Sequence, residues 1–138
     1  VGLLKGVPVA CDVSVAIDKV HDFLTTVKSR VYSLNPNSET LTVSHLGDGN
    51  LHFTVWMEPK TKGMGTLEDR DKVTEVIEET VLELGGSFSA EHGIGLAKLS
   101  SMSRRKDPNA IEVMRSIKMA LDPNNIMNPG KVIPARLS

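Results

Sequence analysis

The sequence predicts an α+β fold: a ferredoxin-like βαββαβ antiparallel sheet with its helices on one face, followed by a C-terminal helix and an extended tail. Three observations carry this. Two stretches, one after Asp18 and one after Thr66, place apolar residues at helical spacing. Segments rich in β-forming residues flank each of them. Between the two helices, Asp48-Gly49 divides one long β-rich stretch and marks a hairpin turn.

The elements follow in order. "PVACDVSV" mixes apolar and small residues and reads as the first strand. Asp18 or a neighbour can start a helix, with Val20, Phe23, Leu24, Val27 and Val31 on one face. "SLNPNSE" ends it, since the residue before a proline is pushed out of helical geometry. "TLTVSHLGDGNLHFTVWM" is two strands around the Asp-Gly turn, and "EPKTKGMG" is a loop. Thr66 with Asp69 resembles a capping box, and Val73, Val76, Ile77, Val81 and Leu84 then form an amphipathic stripe. Gly85 and Gly86 stop this helix. "SFSAE" reads as a short fourth strand. Asp107 at the N-cap and Pro108 at the first helical position start a last helix, with Ile111, Met114, Ile117 and Leu121 on its apolar face. Asp122-Pro123 ends it, and a Pro/Asn/Gly-rich tail follows.

Composition narrows the function classes. The 138 residues fit one domain and can bury a sizeable core. A formal net charge of -1 argues against a generic nucleic-acid surface. The single cysteine, Cys11, allows no intrachain disulfide, which suits a reducing compartment, and reads as a small core residue. No apolar run is long enough to cross a membrane. The absence of a starting Met and the abrupt apolar N-terminus suit a processed or excised fragment.

The hairpin "SHLGDGNLHF" is the most informative stretch. A two-residue Asp-Gly turn makes His45 and His52 cross-strand partners, with Cβ atoms about 4.5–5.5 Å apart. Alternation then puts Val43, His45, Asn50, His52 and Thr54 on one face and Leu46, Leu51, Phe53, Val55 and Met57 on the other. The second face suits packing under helices; the first is left bare. Two imidazoles at this distance can share a divalent metal but need a third ligand. "AEHGIGLAK" supplies Glu91 and His92, with Gly93 and Gly95 allowing a tight turn. Two His and one Glu leave coordination positions open, as catalytic sites do. Spacing alone leaves this reading level with a plain polar surface.

Other features read as structure. His21 and the run Glu68–Lys72 read as solvated helix faces, and the six methionines as packing. Gly93-Ile94-Gly95 begins a dinucleotide-binding pattern, but Lys98 stands where its last glycine belongs. There is no Walker motif and no serine nucleophile elbow.

"HLGDGNLHF", "EHGIGLAK" and "LDPNNIMNPGK" together resemble the C-terminal domain of the FAD-linked oxidases, the group of D-lactate dehydrogenase, the glycolate oxidase large subunit and D-2-hydroxyglutarate dehydrogenase. The resemblance covers nearly all of residues 1–138. It implies a cap whose bare sheet face covers FAD held mainly by a separate N-terminal FAD-binding domain. It implies that His45, His52 and Glu91 bind a divalent metal, usually zinc. His92 would be the general base, Asn50 would line the substrate site, and Asn128 and Lys131 would lie in a tail near the flavin. The implied reaction oxidises a D-2-hydroxy acid to a 2-oxo acid, with the metal lowering the hydroxyl pKa, His92 taking its proton and the flavin taking the Cα hydride. The parent would be a bacterial cytoplasmic or a mitochondrial enzyme, and the chain alone inactive. One departure stands out. Where some relatives use a strand lysine to hold a substrate carboxylate, this sequence has Ala10. That leaves a dicarboxylate and a smaller acid such as lactate or glycolate both open.

Two competing readings remain: a non-catalytic ferredoxin-like module that binds a metal or small ligand, and a structural pairing domain with a polar histidine face. An uncovered flavin-facing surface would also promote self-association of the chain.

Overall fold

The computed structural model describes residues 8–45, 47–57 and 67–135. Leu46, the loop at 58–65 and the Thr66 capping position lie outside the described residues. The chain forms two compact units, Val1–His92 and Gly93–Ser138.

In its described residues the first unit is a three-stranded antiparallel sheet and two α-helices. The strands are β1 (Val9–Ser14), β2 (Glu39–His45) and β3 (Asn50–Trp56), in the order β1-β3-β2. Helix α1 (Val20–Leu34) follows a short 3-10 turn at Ile17–Lys19, and α2 (Leu67–Glu83) follows the hairpin. The predicted stripes are the ones buried. Phe23, Val27 and Val31 of α1 and Val73, Ile77 and Val81 of α2 pack with Val9, Val13, Leu51, Phe53 and Val55 of the sheet. Phe23 meets Phe53 edge-on, with ring centroids 5.9 Å apart. Cys11 is half-buried against this core, and His21 is exposed. Arg30 ties the helices together by donating to Thr80 Oγ1 (3.1 Å) and Glu83 Oε2 (2.7 Å).

Helix α2 stops at the predicted glycines, and the hydrogen bonds show how. Gly85 has φ +73° and donates to Leu82 O, while Gly86 donates to Val81 O. These two bonds are the paired closure of a Schellman motif. Gly86 serves a second purpose. A Cβ there would stand 2.2 Å from the Ser14 carbonyl oxygen, so only glycine lets the returning chain approach β1 this closely.

Two expectations about the sheet need correction. The segment "SFSAE" is not a fourth strand. Ser87 bridges Ser14 with a reciprocal pair of backbone bonds (2.8 and 3.0 Å), antiparallel at the outer edge of β1, where the fourth strand of this fold belongs. Pairing then ceases because other partners compete for the backbone. Ser87 Oγ accepts from Ser89 N–H, and the Asp12 carboxylate takes the N–H groups beyond.

The hairpin register also differs. His45 pairs with Asn50, and His52 pairs with Val43. A two-residue turn of the expected type needs positive φ at both central residues, and here only Gly49 has it (φ +72°). The turn instead includes residues 47–49. Asp48 N–H donates to His45 O (3.2 Å), and Asp48 Oδ1 accepts from Asn50 N–H (3.1 Å). Gly49 is also pinned by Val15, whose N–H donates to its carbonyl (3.1 Å) and whose oxygen leaves no room for a Cβ. The shift moves each pair by two, so the face assignment survives. His45, His52 and Thr54 remain opposite the buried Leu51, Phe53 and Val55.

The second unit holds α3 (Leu99–Arg105), α4 (Pro108–Leu121) and the tail. Helix α3 has no counterpart among the sequence expectations; seven residues are too few to show an apolar period. Helix α4 begins as expected, with Asp107 Oδ1 accepting from Asn109 N–H (3.0 Å) and Pro108 in the first turn. Its predicted apolar face is only partly covered. Ile111 is buried, while Ile117 and Leu121 are 55% and 77% exposed. A unit this short has too little chain to enclose the whole stripe.

Asp122 closes α4. Its carboxylate accepts from Lys118 Nζ and from the N–H groups of Ile126 (3.0 Å) and Met127 (2.9 Å). The Lys118 ammonium, with the two backbone donors, holds the Asp122 carboxyl below its ordinary pKa. A carboxyl depressed in the folded state stabilises fully above the unfolded value of about 3.9 and loses that contribution as pH falls toward the folded value. Acid should therefore loosen the α4–tail closure, and Asp122→Asn should remove that part of the pH dependence. Thermal melts followed by circular dichroism between about pH 6 and pH 3 check this.

Candidate metal centre

The bare sheet face is set by alternation. In β1, Ala10, Asp12 and Ser14 point to it; in β2, Glu39, Leu41, Val43 and His45; in β3, Asn50, His52, Thr54 and Trp56. The cross-strand register puts Asp12 beside His52 and Ser14 beside Asn50.

Asp12 organises what lies above. It is an acidic residue 4% exposed, and its carboxylate accepts from three successive backbone N–H groups: Ala90 (3.1 Å), Glu91 (3.0 Å) and His92 (2.8 Å). A buried carboxylate is stable only where its charge is hydrogen-bonded in this way. The bonds fold the chain after Ser87 over the sheet, which carries Glu91 and His92 to the histidines. Asp12 was not singled out by the sequence. Its signal was there, as the one charged residue in an otherwise apolar and small strand.

Glu91 lies between the two imidazoles. Its Oε1 is 3.8 Å from His45 Nε2, and its Oε2 is 3.6 Å from His52 Nε2. His45, His52 and Glu91 each offer a ligand atom, all within 4.8 Å of one another. Two donors on one tetrahedral zinc at about 2.05 Å stand about 3.4 Å apart, so the three residues fit a divalent ion with little adjustment. Three protein donors leave room for a small molecule.

His92 stands beside the trio. Its ring lies 5.6 Å from that of His52, centroid to centroid, and Asp12 approaches Nδ1 of both (3.9 Å each). It is exposed, as a residue that exchanges protons with a ligand must be. Asn50 differs. It is 4% exposed, and neither its Oδ1 nor its Nδ2 has a hydrogen-bond partner. Its two polar atoms are orphaned directly beside His45, its strand partner.

The trio lies on the sheet face turned away from α1 and α2 and joins residues of two of the sequence motifs, "HLGDGNLHF" and "EHGIGLAK". The chain matches the family described as FAD linked oxidases, C-terminal domain, over residues 1–132. It belongs to that family. It is 36% identical over 135 residues to a D-2-hydroxyglutarate dehydrogenase of Stutzerimonas stutzeri (strain A1501), covering 93% of this chain and 28% of that protein. It is 36% identical over 125 residues to the mitochondrial D-2-hydroxyglutarate dehydrogenase of Bos taurus, covering 89% of this chain and 21% of that protein. It is 35% identical over 128 residues to the Danio rerio protein named "Probable D-lactate dehydrogenase, mitochondrial", covering 88% of this chain and 24% of that protein. The chain thus spans about a quarter of the length of the curated relatives it matches.

Asn128 and Lys131, expected near a flavin, belong to the second unit of this FAD-linked oxidase domain. Asn128 has φ +46° and accepts from Lys131 N–H (3.3 Å). Both line a cavity of about 930 Å³ with Arg115, Lys118, Met119 and Met127.

Proposed function

We propose that this chain is the metal- and substrate-holding cap of an FAD-dependent dehydrogenase that oxidises a D-2-hydroxy acid to a 2-oxo acid, working with a separate flavin-binding domain. The observation that carries this is the convergence of His45, His52 and Glu91 on one point of the open sheet face, with His92 alongside. The bacterial relative and the mitochondrial one support a bacterial or a mitochondrial parent, and a bacterial parent would be cytoplasmic on this reading.

When bound, a divalent cation here would stabilise the developing alkoxide, and FAD would accept the Cα hydride. The residues of this chain do the rest. His45 and His52, fixed on adjacent strands, and Glu91, fixed through its backbone on Asp12, would hold the cation. The substrate's carboxylate and hydroxyl would bind beside these three residues. His92 takes the hydroxyl proton onto its imidazole. Asp12 then faces the imidazolium with a negative charge. Asn50, the orphaned amide under His45, satisfies a polar group at the inner end of the site. Asn128 and Lys131 would contact the flavin.

The test is metal removal from the flavoprotein carrying this chain. Chelator treatment should stop substrate-dependent bleaching of the flavin while leaving flavin bound, and zinc or another divalent ion should restore it. Full bleaching by the chelated protein would sink the metal-assisted reading. Stoichiometric metal with no bleaching by any 2-hydroxy acid would favour a non-catalytic binding module.

A further inference from the structure

The buried amide of Asn50 calls for a partner. Only 4% of the residue is exposed, and among the described residues neither its Oδ1 nor its Nδ2 has a hydrogen bond. A buried amide left in this way costs stability, and a leucine of similar volume would incur no such cost. The amide is therefore explained by a group that it meets when the site is in use.

The strand register names that group. Two rows of neighbours cross the bare face, Asp12–His52–Val43 and Ser14–Asn50–His45. In the first row, His52 turns Nε2 to Glu91 (3.6 Å) and Nδ1 to the Asp12 carboxylate (3.9 Å). One ring nitrogen faces the ligand trio, and an acceptor stands behind the other. In the second row, His45 also turns Nε2 to Glu91 (3.8 Å). Its Nδ1 has no partner among the described residues, and its cross-strand neighbour is Asn50. Direct neighbours on one face have Cβ atoms about 4.5–5.5 Å apart, which lets an imidazole and an amide meet. A neutral imidazole that ligates through one nitrogen carries its proton on the other. That N–H is ordinarily held by an oxygen, which fixes the ring and its tautomer.

Resting on the metal-centre reading above, we infer that Asn50 is a positioning residue for His45: its Oδ1 accepts from His45 Nδ1–H and holds Nε2 toward Glu91. The two histidines then have unlike supports, a carboxylate behind His52 and a neutral amide behind His45. His45 has the greater need of a tether, since 62% of its side chain is exposed against 29% for His52. This gives Asn50 a task distinct from touching the substrate.

The experiment measures zinc affinity in the flavoprotein that carries this chain, by competition against a chromophoric chelator, for the native protein, Asn50→Leu and Asn50→Asp. It also records the ring N–H protons of the zinc-loaded proteins by NMR with isotope-labelled histidine. Asn50→Leu should weaken zinc binding about ten- to a hundredfold and abolish the slowly exchanging His45 Nδ1–H signal of the native protein. Asn50→Asp keeps an acceptor oxygen and should keep that signal. Native zinc affinity and an unchanged His45 signal in Asn50→Leu would overturn the inference and leave the metal centre intact; a raised KM for D-lactate in that variant would make Asn50 a substrate contact. A native protein that binds neither zinc nor another divalent ion would remove the metal-centre reading and the inference together. Should Asn50→Leu melt early, Asn50→Asp decides, and loss of the Nδ1–H signal there overturns the inference.

Discussion

Asp12→Ala is expected to lower the unfolding free energy by about 3 kcal/mol and to weaken metal binding about ten- to a hundredfold. The substitution deletes the acceptor of three backbone N–H groups at once. Of these, only that of Ala90 has a second acceptor in the Asp12 carbonyl, at 3.3 Å. The stability loss is therefore a desolvation cost, and it falls on the segment that carries Glu91. Once that segment loosens, the Glu91 carboxylate is no longer held 3.6–3.8 Å from the two imidazoles. Asp12→Asn keeps one oxygen acceptor and should fall between the two. Urea unfolding, together with zinc competition against a chromophoric chelator, separates the two effects. Native stability in Asp12→Ala would show that the carboxylate is not what ties the segment down.

His92→Ala should reduce turnover of the flavoprotein by about 10²–10⁴, the range typical of a general base. Flavin content and metal content should stay at native levels, because His92 lies outside the ligand trio. This split distinguishes it from His45→Ala and His52→Ala, which should lose metal and turnover together. Near-normal flavin reduction in His92→Ala would take this imidazole out of the chemistry. Metal loss in that variant would make it a ligand instead.

The fold was legible to the extent that burial imposes a period. Val27 and Val31, or Val73, Ile77 and Val81, recur at helical spacing because one side of each helix must leave water. The face carrying His45 and His52 was legible for the same reason: alternation in β3 buries Leu51, Phe53 and Val55 and turns His52 out, and alternation in β2 turns His45 to the same face. Turn geometry was less legible. Asp48 bonds locally to Asn50 N–H, and Val15 grips Gly49, so a longer turn replaces the two-residue one suggested by Asp-Gly. The error was harmless because the register moved by two and parity was kept. Helix α3 left no readable trace, because seven residues hold too little apolar period.

The site itself divides along the same line. The sequence alone determined which residue types were present: two histidines on one face of the hairpin and a Glu-His pair ahead of two glycines. These follow from local rules of alternation and turn chemistry. Only the tertiary structure decided that Glu91 stands between the imidazoles, and that it does so because Asp12, nearly eighty residues earlier, gathers the N–H groups of Ala90–His92. A buried charge has no sequence period. It seeks whichever backbone donors the folded chain brings within reach, and that choice belongs to the packed structure.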